Sequence, residues 1–212
     1  MTTVILANGD FPSSERTVSL LKQADWLICC DGAAARLLEA GIVPDLIIGD
    51  MDSLPRELQQ RHSAIIRTVS EQETNDLTKA FKAATETLPE VIHILGATGR
   101  REDHTLGNVS LLADYAAELA GSSCSIDMVT ETGVFYAFCD SEVRFSCPVG
   151  REVSIFAFDN SLQIKSEGLL YSTDKVTFDT LWKATLNCSI AETVSLHLSH
   201  QAKVIVFISN PD

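Results

Sequence analysis

Through the first half of the chain, short apolar runs alternate with polar, amphipathic stretches. VILANG (4–9), WLICCD (26–31), DLIIGD (45–50) and VIHILGA (91–97) have the length and β-branched content of buried strands, with a weaker candidate at AIIRTV (64–69). Between them, ERTVSLLKQA, AAARLLEAG and NDLTKAFKAATETL repeat apolar residues at i, i+3 and i+4, and DHTLGNVSLLADYAAELAG carries the longest helical pattern. Gly41 and Gly121 fall where a helix C-terminal glycine belongs. Strand and helix in alternation predict a parallel sheet with helices on its faces.

After Gly121 the pattern changes. SIDMVT, GVFYAFC, EVRFSC, EVSIFAF, LQIKSEG, TVSLHLS and KVIVFIS are short, β-branched or aromatic, and separated by polar turn residues at hairpin-like spacing. That grammar predicts an antiparallel sandwich or barrel. The expected architecture is α/β: an N-terminal Rossmann-like parallel α/β domain over residues 1–122, then an antiparallel β-sandwich or barrel domain over 123–212.

Charge narrows the partners. A formal net charge of −13 with no basic stripe argues against a nucleic-acid or membrane-surface binder, both of which need clustered Lys and Arg. MTTVILANGD lacks a basic n-region, and no apolar stretch approaches the roughly 18 residues of a membrane span, so the expected location is the cytoplasm. The six cysteines form no C-x-x-C pair and lie mostly in apolar, strand-like surroundings, which reads as buried thiols without metal or redox work.

The chemistry collects where the predicted strands end. VILANGD, ICCDGA, IIGDMDS and ILGATGRREDH each run from apolar residues into a polar, glycine-containing stretch, and in an open α/β sheet those ends share the edge where ligands bind. Asp50 and Asp52 are two like charges separated by one residue. In an extended chain they would share a side at about 7 Å, which suits either a solvated acidic turn or a pair held around a hard cation such as Mg²⁺.

Several further residues carry two readings. Asp31 is a third candidate oxygen donor or the N-cap of the helix after it. Asp76 and Lys79 have the spacing of a routine surface ion pair. Arg100 and Arg101 precede a helix N-terminus and suit phosphate, Asp103 adds a carboxylate there, and His104 fits either a ligand or a hydrogen-bonded structural role. Neither G-x-x-x-x-G-K-[ST] nor G-x-G-x-x-G occurs, so any phosphate grip rests on carboxylates with Mg²⁺ and on arginines.

Four segments in order, Asp31-Gly32-Ala33, PDLIIGDMDS (44–53), NDLTKA (75–80) and GATGRREDHTLGN (96–108), make the chain resemble the thiamine pyrophosphokinase family over its whole length. The resemblance implies that the hydroxyl of thiamine attacks the β-phosphorus of ATP, that a pyrophosphoryl group moves and AMP leaves, and that Mg²⁺ is required. It implies a homodimer with thiamine bound where the α/β domain of one subunit meets the β domain of the other. Carried over by position, Asp31, Asp50, Asp52 and Asp76 become metal-binding carboxylates, with Asp50, Asp52, Asp76 and Asp103 in catalysis. Lys79, Arg101, His104 and Asn108 line the nucleotide and phosphate site, and Tyr171 and Asn187 match acceptor-side positions.

Ala33, Asn75 and Leu186 depart from the family pattern, the last at the acceptor end, and Trp182 fits a core or an interface aromatic equally. Two rival readings stand beside this one. A pyrophosphokinase of another alcohol, such as a hydroxymethyl pterin, would keep the α/β half, and a non-catalytic Mg–nucleotide binding module would keep only the binding. EGLLYS and TLNCS favour thiamine as acceptor.

Overall fold

The computed structural model describes residues 1–210, which form a mixed α/β fold rich in sheet. The chain divides into two units: Met1–Leu111 with Ser123–Glu131, and Leu112–Ser122 with the residues from Thr132 onward.

The first unit runs β1 (Thr2–Leu6), α1 (Glu15–Gln23), β2 (Trp26–Cys30), α2 (Ala34–Glu39), β3 (Leu46–Gly49), α3 (Arg56–Arg61), β4 (Ile66–Thr68), α4 (Asp76–Thr85), β5 (Val91–Leu95), α5 (Glu102–Glu118) and β6 (Ser125–Val129), with α5 continuing into the second unit. Its strands lie in the order β4-β3-β2-β1-β5-β6, and every neighbouring pair is parallel. From β1 the chain steps outward to β4, then returns to lay β5 on the other side of β1. That reversal makes the β1/β5 gap the topological switch point, outside whose carboxyl ends ligands bind in such sheets.

Local sequence accounts for most of these elements. Ser14 caps α1 by accepting from the Thr17 N–H, with Glu15 in the first turn and Lys22 in the last. In α4 the Asn75 side chain accepts from the Thr78 N–H at 2.9 Å, and Leu77, Ala80, Phe81 and Ala84 make the buried stripe. RELQQR forms α3 with no buried residue, so no apolar period announces it.

Two expectations about strands are corrected. SIDMVT was expected to open the antiparallel series, but its residues form β6 and pair in parallel with β5, from Val91↔Ser125 to Ile94↔Met128. An apolar run of that length serves either kind of sheet. GVFYAFC and EVRFSC were expected as two strands, as were TVSLHLS and KVIVFIS, yet each pair is one: β7 (Gly133–Ser146) and β11 (Thr193–Ser209). The polar breaks coincide across the ladder, where only Ser141 stands opposite residues 198–201, so they make a bulge instead of turns.

The remaining strands of the second unit are β8 (Glu152–Ala157), β9 (Ile164–Glu167) and β10 (Asn187–Cys188), all antiparallel to their neighbours. The far half of β11 pairs β8 and its near half pairs β9, with β7 alongside both halves. Val153, Ile155, Ile164, Val194, Leu196, Val204 and Val206 meet in one apolar core. All six cysteines are free, and among the described residues no helix is long and apolar enough to cross a membrane.

Candidate active site

At the carboxyl edge of the first unit, β2 delivers Asp31 and β3 delivers Asp50 and Asp52. One carboxylate oxygen from each lies within 4.8 Å of the other two. Asp50 and Asp52 do not sit on an extended strand: β3 ends at Gly49, and Met51 adopts φ 67°. A left-handed non-glycine residue is strained, and here it folds the D-x-D segment back so that the Asp52 N–H donates to Asp50 Oδ1 at 3.2 Å. The acidic turn is therefore a built structure.

Asp31 is fully buried, and it caps nothing. Its residue opens a one-turn 3₁₀ segment, neither that turn nor α2 has a side-chain cap, and its Oδ2 instead accepts from the Ser53 N–H at 3.1 Å. Its Oδ1 is buried with no hydrogen-bond partner among the described residues. An unpaired buried carboxylate oxygen costs free energy that a cation recovers. Burial pushes the Asp31 carboxyl up, the Ser53 N–H pulls it down, and the charges of Asp76 and Asp52 push it up again.

Asp50 is set the other way. The Gln72 Nε2 donates to its Oδ2 at 3.0 Å, and together with the Asp52 N–H this holds the Asp50 carboxyl below the usual range. Ser53 Oγ donates to Asp52 Oδ1 at 2.7 Å. Gln72 and Ser53 escaped the sequence reading because neither is charged. Ser53 lay within the quoted motif, whereas nothing in the sequence marks Gln72.

Asp76 opens α4 and lies beside Asp31 across Gly49, outside the three-carboxylate cluster. A side chain at Gly49 would put its Cβ 2.6 Å from Asp31 Cβ and 3.2 Å from Asp76 Oδ1, so these two aspartates flank a backbone that only glycine permits. Lys79 Nζ donates to Asp76 Oδ1 at 3.1 Å, and Lys79 is buried, so the routine surface pair expected from the spacing is a partly buried one. Lys79 also lines a cavity of about 470 Å³ with Arg67, Glu71, Glu73, Lys82 and Glu86.

At the switch point the β1 and β5 loops lock together. The Gly9 N–H donates to the Gly96 carbonyl at 2.5 Å and the Asp10 N–H to the Thr98 carbonyl at 2.9 Å. The two arginines there differ. Arg100 Nη1 donates to the Asn8 carbonyl and to Asn8 Oδ1, which ties it to the β1 loop. Exposed Arg101 grips Asp103 with two bonds, Nε to Oδ1 at 3.1 Å and Nη2 to Oδ2 at 2.6 Å, and pulls that carboxyl down to about 2. His104 is exposed, and its N–H donates to Asp103 Oδ1. Asn108 donates to the Ala97 carbonyl at 2.8 Å and so braces the β5 loop.

Tyr171 and Asn187, which the resemblance matches to acceptor-side positions, lie in the second unit. Buried Asn187 clamps the Tyr171 backbone: its Oδ1 accepts from the Tyr171 N–H at 3.0 Å and its Nδ2 donates to the Tyr171 carbonyl at 2.7 Å. The Tyr171 ring itself is exposed, as are Leu170, Trp182, Leu186 and Ile190.

This geometry can do definite chemistry. A donor set made wholly of carboxylate oxygens, one of them buried and unpartnered, fits a hard divalent cation, and neighbouring lysine and arginine side chains suit phosphate.

Comparison with known proteins identifies a family. Sequence models for the thiamin pyrophosphokinase catalytic domain and for the thiamin pyrophosphokinase substrate-binding domain match residues 17–120 and 133–207. The chain is 38% identical over 86 residues to a thiamine pyrophosphokinase of Bacillus subtilis, an alignment spanning 39% of this chain and 40% of that one. It is 29% identical over 133 residues to thiamine pyrophosphokinase 1 of rice, Oryza sativa subsp. japonica, across 50% of each chain. The chain thus matches about half the length, or less, of these curated relatives. Solved thiamine pyrophosphokinase structures share the fold: that from Bacillus subtilis has a TM-score of 0.77 at 24% identity with 100% of both chains covered, and that from Candida albicans 0.80 at 17%, covering 99% of this chain and 90% of the other.

Proposed function

Because this chain belongs to the thiamin pyrophosphokinase family, we propose that it transfers the pyrophosphoryl group of ATP to the hydroxyl of thiamine, giving thiamine diphosphate and AMP. The observation that carries this reading is the convergence of Asp31, Asp50 and Asp52 on one point, with a buried Asp31 oxygen left unpaired. Asp31, Asp50, Asp52 and Asp76 would hold Mg²⁺. When bound there, such an ion would supply neutralisation of phosphate charge and Lewis-acid polarisation.

The chain's own residues do the rest. Lys79 fixes the Asp76 carboxylate from beneath, and Asp76 takes the hydroxyl proton as the thiamine oxygen bonds to the β-phosphorus and the bond to the α-phosphate oxygen breaks. Arg101, held ready by Asp103, turns to the triphosphate, while His104 and Asn108 frame the nucleotide side. In this reading the first unit is a Rossmann-like nucleotide- and metal-binding domain. The second is a β-sandwich that receives thiamine at Tyr171 and Asn187 and pairs with a second copy as a homodimer. The enzyme is taken to work in the cytoplasm.

The test is AMP release from Mg–ATP with thiamine, without it, and with a hydroxymethyl pterin, beside an Asp50→Asn/Asp52→Asn control. Thiamine-dependent AMP that is lost in the control is expected. AMP formed only with the pterin would move the acceptor, and nucleotide binding without AMP would leave a binding module.

A further inference from the structure

Glu131 closes the segment after β6, at the end of the first unit, and its carboxylate reaches back 118 positions to the start of α1. The Ser13 N–H donates to its Oε1 at 2.9 Å, the Ser14 N–H to its Oε2 at 3.2 Å, and Thr17 Oγ1 to its Oε1 at 2.9 Å. Burial pushes this carboxyl up, but these donors, with the Ser14 hydroxyl, bring it below the usual range. A helix N-terminus at the carboxyl edge of such a sheet is a ready phosphate site, with free N–H groups and a positive dipole end. Here Glu131 takes the N–H of the N-cap residue Ser14 and that of Ser13 before it, while Ser14 Oγ takes the Thr17 N–H.

The same residues bound the loop that leaves β1. One end of that loop is tied to the β5 loop through Gly9, Asp10 and Asn8, at the switch point. Its other end is tied only a few residues later by Glu131.

We propose that Glu131 is a positioning residue for the nucleotide: by tying the Ser13 and Ser14 backbone and the Thr17 hydroxyl at the start of α1, it sets the β1–α1 loop at the switch point. This rests on the pyrophosphokinase reading. An exposed carboxylate with three long-range donors is more than one helix cap needs, because Ser14 already accepts from the Thr17 N–H.

The test is Glu131→Gln, which keeps the size, removes the charge and turns an amide NH₂ toward N–H donors. The KM for Mg–ATP should rise about five-fold, with kcat and the thiamine KM unchanged within about two-fold. Hydrogen exchange at the Gly9 and Asp10 amides should quicken. Thr17→Val, which removes one donor, should move the ATP KM the same way by less and guards against a Glu131→Gln protein that folds poorly. An ATP KM unchanged in both variants overturns the proposal. If the unaltered protein releases no thiamine-dependent AMP, the function reading falls on that arm alone. Exchange at Gly9 and Asp10 in Glu131→Gln then decides the loop: faster exchange supports the role, and unchanged exchange overturns it.

Discussion

Lys79 lies buried beneath Asp76, one helical turn along α4, with its Nζ 3.1 Å from the carboxylate Oδ1 and 4% of its side chain exposed. A lysine is seldom placed so deep without a partner that keeps its charge. The pair sits next to Asp31, whose carboxyl feels the Asp76 charge. Lys79 is thus the internal counter-ion of an otherwise all-acidic group.

Lys79→Met should therefore act on both stability and turnover. Removing one partner of a partly buried pair leaves Asp76 uncompensated, at a cost of about 2 kcal/mol. Turnover should fall about a hundredfold, because the carboxylate loses its fixed orientation. Urea denaturation and AMP release measure the two effects, and an active, fully stable Lys79→Met protein would remove Lys79 from the site.

Gly49→Ala should disable the proposed cation site through packing alone. The new Cβ meets Asp31 Cβ at 2.6 Å and the Asp76 carboxylate at 3.2 Å, and neither short side chain has far to retreat. Overpacking of this kind costs about 2 kcal/mol, and the rise in Tm produced by Mg²⁺ should vanish. Gly107→Ala is the control: nothing lies within 4 Å of its Cβ position, so there the same change in α5 should add up to about 1 kcal/mol. Thermal melts with and without Mg²⁺ separate the two.

Much of this site was legible before any coordinates, and the reason is topological. A parallel sheet delivers every strand end to one edge, so the meeting of Asp31, Asp50 and Asp52 could be read from scattered motifs, whereas Asp76 entered only through the family resemblance. The way the carboxylates meet was not legible. It depends on the left-handed turn at Met51 and on the narrow gap at Gly49, and neither leaves a mark in hydrophobic periodicity. The parallel pairing of β6 was hidden for a related reason, since a five-residue apolar strand carries no record of its partner's direction. Glu131 was invisible because its partners lie more than a hundred positions away.

The Arg101–Asp103 fork should show a distinctive acid titration. Asp103 titrates at about 2, chiefly through its hydrogen bonds from Arg101, against an ordinary aspartate value of 3.8. A carboxylate depressed in the folded state contributes stability that is complete above its unfolded value and is lost as pH falls toward its folded one. Without nucleotide the fork should therefore hold at neutral or mildly acidic pH and open only between about pH 4 and pH 2. A carbon-13 titration of the Asp103 carboxyl follows this directly. In Arg101→Ala the midpoint should climb back toward the ordinary value, and a midpoint that stayed at about 2 would mean that Arg101 does not set it.

In the second unit, Leu186 holds φ 57° with 70% of its surface exposed, directly before the Asn187 clamp on Tyr171. Its N–H donates to Ser154 Oγ at 3.1 Å, which pins the backbone in that conformation. A leucine pays about 1–2 kcal/mol for the left-handed region, and glycine adopts it freely. Against this, glycine gives the unfolded chain roughly 0.5–1 kcal/mol of extra entropy. Leu186→Gly should thus stabilise the protein by about 0.5 kcal/mol, read as a higher urea midpoint at unchanged slope. Asn187→Ala goes the other way: it strands the Tyr171 N–H and carbonyl, lowers stability by about 1–2 kcal/mol and raises the thiamine KM while leaving the ATP KM in place. If Leu186→Gly were instead destabilising, the exposed leucine must pack on something in solution, and a concentration-dependent midpoint would identify that partner as a second copy of the chain.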